Sequence, residues 1–592
     1  MRPTLRAIRA SGQPVLRELT ADRQLVRWLG WFACIQLLCS LWDIPSSFGW
    51  ENDGIAPRDF FGGIANNILP GHAHRYPLMH YLLVGICSLP FLLLALITAS
   101  SWTAIGIKAA VLSVPTMTAV SVVAKSLTIG LGCMAILAVA TICRRGYGTR
   151  AGRYCALLLM TCMTFTYYAR TSNLDVPSMA WALLGIERLS AYVQSTDRRD
   201  MYWSAAFCAA AVSTKDPAYG LLVLPLAFVC LIAPWWNITI DWKSHLSHLG
   251  RAAGVGILAY GVLSGAFLNP TGFLARIDLL TGTNSQDWAT YTNDWDGLKR
   301  NILNITTRQW DAFWPPAITS FTWVAVLWGL WKSPLGGRRL AVHRLLPLLS
   351  VLSAISLFTL VVRRDDHRFI MPLCFGLAFY GGALTATIIE RTTERYRRLL
   401  LAGAIAGLVI CAVNNLRLIA TQWTDPRNDV ETYLQTLPAG SVVETYGLVV
   451  YQPRFDASDD SQYRLQRVGK KPPQKRNPLA PTELEAPYMK YAERSPTALV
   501  ITDGFASRFR TEDLSSGRIA SVVVSTYQTD VDATEFFNRA FKDDLPGYSL
   551  ALNAGSKFPS WLESIGFTPV SIHGSTGRTV RVFRQSTRST SP

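Results

Sequence analysis

A polytopic α-helical membrane protein with a C-terminal extracytoplasmic α/β domain is the fold class this sequence predicts, on three observations. Half of the 592 residues are apolar, only 16% are charged, and mean hydropathy is +0.21. A soluble chain of this size needs more charge to cover its surface. Apolar runs recur from about residue 25 to residue 419, several of them long enough for a hydrocarbon core that takes about 20 helical residues. Beyond residue 424 the pattern changes to short strands alternating with helix-like stretches.

Residues 1–24 are rich in arginine (Arg2, Arg6, Arg9, Arg17, Arg23), and no small-residue cleavage site closely follows the next apolar run. They read as a cytoplasmic tail before a retained helix rather than as a removed signal. The apolar runs lie at 28–42, 82–99, 127–142, 155–169, 176–193, 202–212, 221–236, 255–268, 321–331, 345–362, 369–389 and 399–413. The loops richest in Lys and Arg are 144–153, 198–200, 243–251, 332–344 and 390–398. If all are cytoplasmic, an even number of crossings separates each pair. Downstream this works, with outer turns at 170–175, 215–217 and 363–368. Upstream, three runs precede Arg144 and only two may cross. The run 82–99 follows Tyr76-Pro77 and contains Pro90, so it is assigned to the outer face as a juxtamembrane or re-entrant element. Region 49–116 is then one large outer loop. The membrane domain, 25–423, has about eleven crossings, and 424–592 lies outside.

In the tail, strands are expected at 441–445, 498–502, 519–526 and 578–583, helices at 428–436 and 533–541, and a mobile loop at 466–481, which is rich in Lys and Pro. All 11 cysteines fall between Cys34 and Cys411, without metal-ligand spacing, and read as small buried hydrophobes. The excess of 57 basic over 40 acidic residues fits cytoplasmic loops beside anionic membrane lipids. No compact basic module with interleaved aromatics argues for nucleic acid, and none is expected as a partner. No nucleotide fingerprint and no internal repeat is present.

Polar residues converge on the outer side. Glu51, Asp53, Asp59, His72, His74 and Arg75 lie in the first outer loop, and Lys125 falls at the outer end of the next crossing. Arg170 and Asp175 occupy one hairpin, Lys215 and Asp216 another, and the run Arg363-Arg364-Asp365-Asp366-His367-Arg368 a third. Carboxylates at the mouth of a bundle are costly to desolvate, so they serve chemistry, ion handling or a structural ion pair. Several cations with a few carboxylates on one face suit a phosphate-bearing substrate that needs a base. Each residue also has a structural reading. Asp53 suits a helix cap, Lys125 a side chain snorkelling to the headgroups, Arg170 and Asp175 a pair across a tight turn, and 363–368 an interfacial charge cluster. Two histidines at i and i+2 make a weak case for metal.

The order of these motifs resembles the GT-C polyprenyl-phosphate-sugar glycosyltransferases, the group that contains protein O-mannosyltransferases and lipid A aminoarabinose transferases. Glu51-Asn52-Asp53 supplies an acidic residue after the first helix. Arg75-Tyr76-Pro77-Leu78-Met79-His80-Tyr81 is similar to the family's Pro-Pro-Leu-x-Tyr stretch. Ala169-Arg170-Thr171-Ser172-Asn173-Leu174-Asp175-Val176-Pro177 is similar to its Arg-x-x-x-x-Asp-x-Pro turn. Thr214-Lys215-Asp216-Pro217 followed by Leu224-Pro225 resembles its Lys-Gly/Pro hairpin, and Asp366-His367-Arg368-Phe369-Ile370-Met371-Pro372 its Pro-Arg-Tyr-x-x-Pro. Asp425-Pro426-Arg427 and Leu437-Pro438-Ala439-Gly440-Ser441-Val442 look like the start of the family's outer C-terminal domain. The resemblance covers residues 25 to about 450. Departures at Leu78, His367 and Phe369 leave the subfamily, and with it the sugar and acceptor, open.

The resemblance implies a hexosyl- or pentosyltransferase whose donor is a sugar on a polyprenyl phosphate, taken from the outer leaflet. The acceptor is a hydroxyl on a lipid, glycan or protein. It implies inversion in one displacement, with Asp53 as the base and Glu51 as its rival. Lys125, Lys215 and Arg368 are candidates for the donor phosphate. Asp175 would orient a sugar hydroxyl or position Arg170, and Tyr76 and His367 stand in the matching substrate-binding motifs. No cofactor is implied; with cations compensating the phosphate, a divalent metal is allowed but not favoured. The short loops and Cys-free tail favour a bacterial inner membrane with the site facing outward. A transporter or flippase, or a polymerase or ligase of lipid-linked glycans, is the alternative. The first would place charges at mid-membrane and broken helices in matching halves.

Overall fold

The apolar run at 127–142 lies inside one 34-residue helix, Val114–Tyr147, around which the bundle is built. Pro115 stands in its first turn, where a missing N–H costs nothing. Arg144 and Arg145 close its last turn, where cations complement the helix dipole. In this computed structural model the described residues are 21–45, 49–51, 53–57, 59–72, 76–232, 241–281, 289, 291–332, 338–364, 366–447, 449–454, 462–469, 482–509, 530–570 and 577–586. Among them, seven helices are long and apolar enough to cross a membrane: Arg23–Asp43, Met79–Ile97, Val114–Tyr147, Trp242–Leu263, Leu340–Val361, Pro372–Arg391 and Glu394–Leu434. The chain is an integral membrane protein. The stretch to which charge parity denies a crossing is the continuous helix Met79–Ile97, which meets the length and apolarity of a span even with Pro90 inside it.

The remaining apolar runs form shorter or more polar helices. Run 155–169 is broken into Thr149–Met160 and Met163–Ala169. Helix Asp175–Ser195 is buried along nearly its whole length. It tolerates Glu187 and Arg188 because Glu187 is ion-paired at 2.6 Å with Arg145 and hydrogen-bonded at 2.5 Å from Arg188 Nε, while Arg188 also pairs with Asp200 at 3.0 Å. These contacts gather charge at the Arg144 end of the bundle. At the other end, helix Arg338–Ser356 runs into a π-turn, Leu357–Val361, immediately before the charged run 363–368. Such turns recur where a helix is re-aimed for function. Helix Glu394–Trp423 leaves Leu399, Ile405, Val409 and Ile410 largely exposed, as a face turned to lipid would be.

After residue 424, six strands among the described residues form one sheet in the order β3-β2-β1-β4-β6-β5. They are β1 (Ser441–Tyr446), β2 (Tyr463–Gly469), β3 (Thr482–Glu485), β4 (Ala498–Thr502), β5 (Tyr548–Ala554) and β6 (Val580–Gln585). Strands β1 to β4 pair in parallel, whereas β6 runs antiparallel to both β4 and β5. The all-apolar start of β4 is buried at every position, as a central strand covered on both faces requires. Helix Val531–Phe541 packs Phe536 and Phe537 against Tyr446 and Tyr488. The strands expected at 441–445, 498–502 and 578–583 form there. The one expected at 519–526 lies outside the described residues. The expected loop 466–481 is corrected in part, since residues 466–469 belong to β2.

Candidate active site

The chain leaves helix Arg23–Cys39 through a 3-10 turn, Ser40–Asp43, and reaches the acidic loop at Gly49. Trp50, Glu51 and Asp53 have different fates there. Glu51 is buried; its Oε2 accepts from the Ser172 amide and hydroxyl, both at 2.6 Å, and its Oε1 lies 3.1 Å from Lys125 Nζ. Burial pushes the Glu51 carboxyl above its ordinary pKa, against the pull of Lys125 and with the repulsion of Asp43. Gly54 forms an isolated bridge to Asn173. A Cβ there would stand 2.7 Å from Ser172 Oγ and 2.9 Å from Glu51 Oε2, so the close docking needs glycine. Asp53 takes φ +54, a left-handed conformation that Asp tolerates better than most residues. That turn carries its side chain out of the buried layer, leaving it 38% exposed and bonded to Arg368 Nη1.

Lys125 is fully buried; its ammonium donates to the Asp43 carboxylate and to the Ser40 carbonyl at 2.8 Å, and is ion-paired with Glu51 at 3.1 Å. The expected phosphate partner is therefore an internal counter-ion behind the Asp53 loop. Arg170 is also corrected. It is fully buried, donates to Gln422 Oε1 at 3.0 Å and Gln36 Oε1 at 3.3 Å, and does not meet Asp175.

Asp175, in the first turn of helix Asp175–Ser195, pairs instead with Lys215 at 2.5 Å. Burial lowers the Lys215 pKa below its usual 10.5, and nearby Arg368 adds to this, although Asp175 and Asp53 oppose it. Burial also works against the charge of Arg368, but the carboxylates of Asp53 and Asp366 outweigh it and hold the guanidinium firmly protonated. Arg364 is lowered to about 10 by burial and by Arg368. Tyr76 acts electrostatically on both Arg364 and Arg276, and its carbonyl accepts from Asn67 at 2.9 Å. Arg276 is paired with Asp216, Nε to Oδ1 at 3.2 Å. His367 opens the short helix His367–Ile370, capped by Asp366. Phe369 beneath it stacks on Phe358 with centroids 5.0 Å apart and carries Arg368 over its ring at 4.8 Å.

The structure thus brings together Asp53, Asp175, Lys215, Arg368 and Tyr76, and it adds Arg364, Asp366 and Arg276. It places Glu51 and Lys125 behind them with Asp43 and Ser172. Among these, Arg364 and Asp366 were readable only as members of a charged run, and Ser172 only as filler in a turn. Asn52, His74, Arg75 and Asp365 fall outside the described residues. A cavity of about 310 Å³ opens beside the run 363–368, lined by Tyr291, Asn293, Trp295, Thr359 and Arg363. Arg363 Nη1 donates to the Tyr291 carbonyl at 2.9 Å. One partly exposed carboxylate facing several buried cations can take a proton from a neutral group while an anion is held nearby.

Residues 90–260 match the model of the dolichyl-phosphate-mannose-protein mannosyltransferase family, a stretch that lies inside the region of the motif resemblance. Among solved structures, ArnT from Cupriavidus metallidurans bound to undecaprenyl phosphate is similar at 12% identity and TM-score 0.46, over 80% of this chain and 93% of that one. The Archaeoglobus fulgidus oligosaccharyltransferase in its apo form is similar at 11% identity and TM-score 0.44, over 94% of this chain and 88% of that one. No curated protein matches the sequence.

Proposed function

We propose that this protein is an inverting glycosyltransferase, moving a hexose or pentose from a polyprenyl-phosphate donor to a hydroxyl acceptor on the outer face of the membrane. The acceptor is a lipid, glycan or protein, and the membrane a bacterial inner membrane. The observation that carries the reading is the contrast within one loop: Glu51 is buried, held by Ser172 and ion-paired with Lys125, whereas Asp53 projects, partly exposed, toward Arg368. On this reading Asp53 takes the acceptor proton as the acceptor oxygen bonds to the anomeric carbon. The bond from that carbon to the phosphate oxygen breaks on the opposite face, and its electron pair stays with polyprenyl phosphate. Arg368, Arg364 and Lys215 compensate that charge, Asp175 holds Lys215 and orients a sugar hydroxyl, and Tyr76 and His367 border the substrate. The cations make a metal unnecessary to this scheme.

The orientation puts the Asp53 end outside; with Met79–Ile97 held on that face rather than crossing, it gives about eleven crossings and residues 424–592 on the same side. The test is the pair Asp53→Asn and Glu51→Gln. Asp53→Asn keeps shape but accepts no proton, so transfer should fall by about 10²–10⁴-fold with folding and donor binding retained. Glu51→Gln should lose thermal stability first. Normal turnover in Asp53→Asn would remove the base from the scheme and favour a transporter or flippase of lipid-linked sugar.

A further inference from the structure

Trp50 stands three residues before Asp53 and is 1% exposed. Its surroundings come from the other end of the chain. The indole Nε1 donates to the Gln452 carbonyl at 3.0 Å. Two guanidinium groups lie against its ring, Arg427 at 4.1 Å and Arg454 at 4.7 Å from the centroid, both inside the range of cation–π attraction. Neither arginine is free to wander. Arg427 is gripped by both oxygens of Asp425, at 2.7 and 2.8 Å. Arg454 is held by Glu431 Oε2 at 2.8 Å and Asn428 at 2.8 Å, and it donates to the Ile44 carbonyl at 3.2 Å, on the near side of the acidic loop.

The loop is therefore pinned from two directions. Glu51 and Gly54 fasten it to the bundle through Lys125, Ser172 and Asn173. Trp50 fastens it to the region after residue 424. The Trp50 amide adds a cross-brace to Asp43 Oδ2 at 3.2 Å. Asp53 lies between these fastenings in a conformation that L-residues rarely adopt, and such a backbone persists only where its surroundings over-determine it.

We propose that the region after residue 424 is a working part of the catalytic unit, in which Arg454 and Arg427 act as positioning residues that set the aim of Asp53 through Trp50. This rests on the reading of Asp53 as the base. A displacement of about 1 Å at a reacting group is enough to cost about 10²-fold in rate, so the clamp acts on turnover more than on donor affinity.

The experiment uses the full-length protein in detergent or nanodiscs with a polyprenyl-phosphate sugar. Arg454→Gln removes one charge from the ring, Arg454→Lys retains it, and Trp50→Phe keeps a ring but loses the indole N–H. Arg454→Gln and Trp50→Phe are expected to lower kcat about 10- to 100-fold with donor KM within about twofold, and Arg454→Lys to recover part of the loss. Thermal unfolding of each variant identifies any that fails to fold. The deciding comparison is Arg454→Gln in an Asp53→Asn background. A residue acting through Asp53 adds no further loss to the residual rate there, whereas a merely structural one multiplies it. Full kcat in folded Arg454→Gln and Trp50→Phe, or multiplicative loss in the double variant, overturns the clamp. Normal turnover in Asp53→Asn overturns the base instead, which keeps the two failures apart.

Discussion

Lys215 shows how burial makes a charged residue sensitive to pH. Its amine is stripped of water and repelled by Arg368, so its pKa is lowered although Asp175 holds it at 2.5 Å. Below that lowered value it is charged and attracts an anion; above it the attraction is lost. Donor binding should therefore decline on the alkaline side at a pH short of the lysine norm. Lys215→Arg, whose guanidinium stays protonated, should move that decline upward. An alkaline limb that stays in place in Lys215→Arg would separate Lys215 from the donor phosphate. At this scale the sequence supplied the residue types but not their partners. Glu51 and Asp53 are two positions apart in one loop, and nothing in their chemistry says which is buried. The positive φ at Asp53 and the close approach at Gly54 decide it. Likewise, Asp175 pairs across to Lys215 rather than back to Arg170 because the two hairpins meet in space.

At the level of elements, helix Val114–Tyr147 carries a lysine that the fold cannot spare. Lys125 sits among Asp43, Glu51 and the Ser40 carbonyl with no exposure. Removing one partner of a buried ionic group strands the others, at about 3–5 kcal/mol. Lys125→Met should lower thermal stability by that order, and adding Asp43→Asn should restore part of it. A stable Lys125→Met protein with weakened donor binding would return this lysine to the phosphate. The apolar helices were legible because lipid imposes long hydrophobic runs whatever the packing. The strands were legible where apolar residues dominate them, as in β1 and β4, which are buried almost throughout, and in the Val580–Phe583 part of β6. Strand β2, Tyr-Arg-Leu-Gln-Arg-Val-Gly, and strand β3, Thr-Glu-Leu-Glu, lie toward the sheet edge and carry charges that hide them. The break between Thr149–Met160 and Met163–Ala169 was hidden because both halves are apolar.

For the molecule as a whole, the reading turns on sidedness. Thr149 and Ser564 are both exposed, the first beside the arginine-rich turn 144–153 and the second in the short helix Ser560–Ser564 beyond the sheet. With the proposed orientation, Ser564→Cys in intact cells should react with an impermeant maleimide and Thr149→Cys should not, in a background whose native exposed cysteines, Cys34 and Cys87, have been replaced. Reversed labelling would put Asp53 on the wrong side for an outer-leaflet donor. Near both Arg144 and Asp53 the charges are paired, and at the second end one of the paired carboxylates, Asp53, is still open to solvent.

The 34-residue helix also works as a ruler. From Lys125 to Arg144 it rises about 28 Å at 1.5 Å per residue, close to the roughly 30 Å of a hydrocarbon core. One rigid strut thus fixes the altitude of the acidic loop above the far headgroups. On the proposed function, donors of different isoprenoid length would present their sugars at one level, since only the phosphate would be registered there, and surplus tail would lie unread in the bilayer. What such a ruler does read is the thickness of the sheet of lipid it crosses.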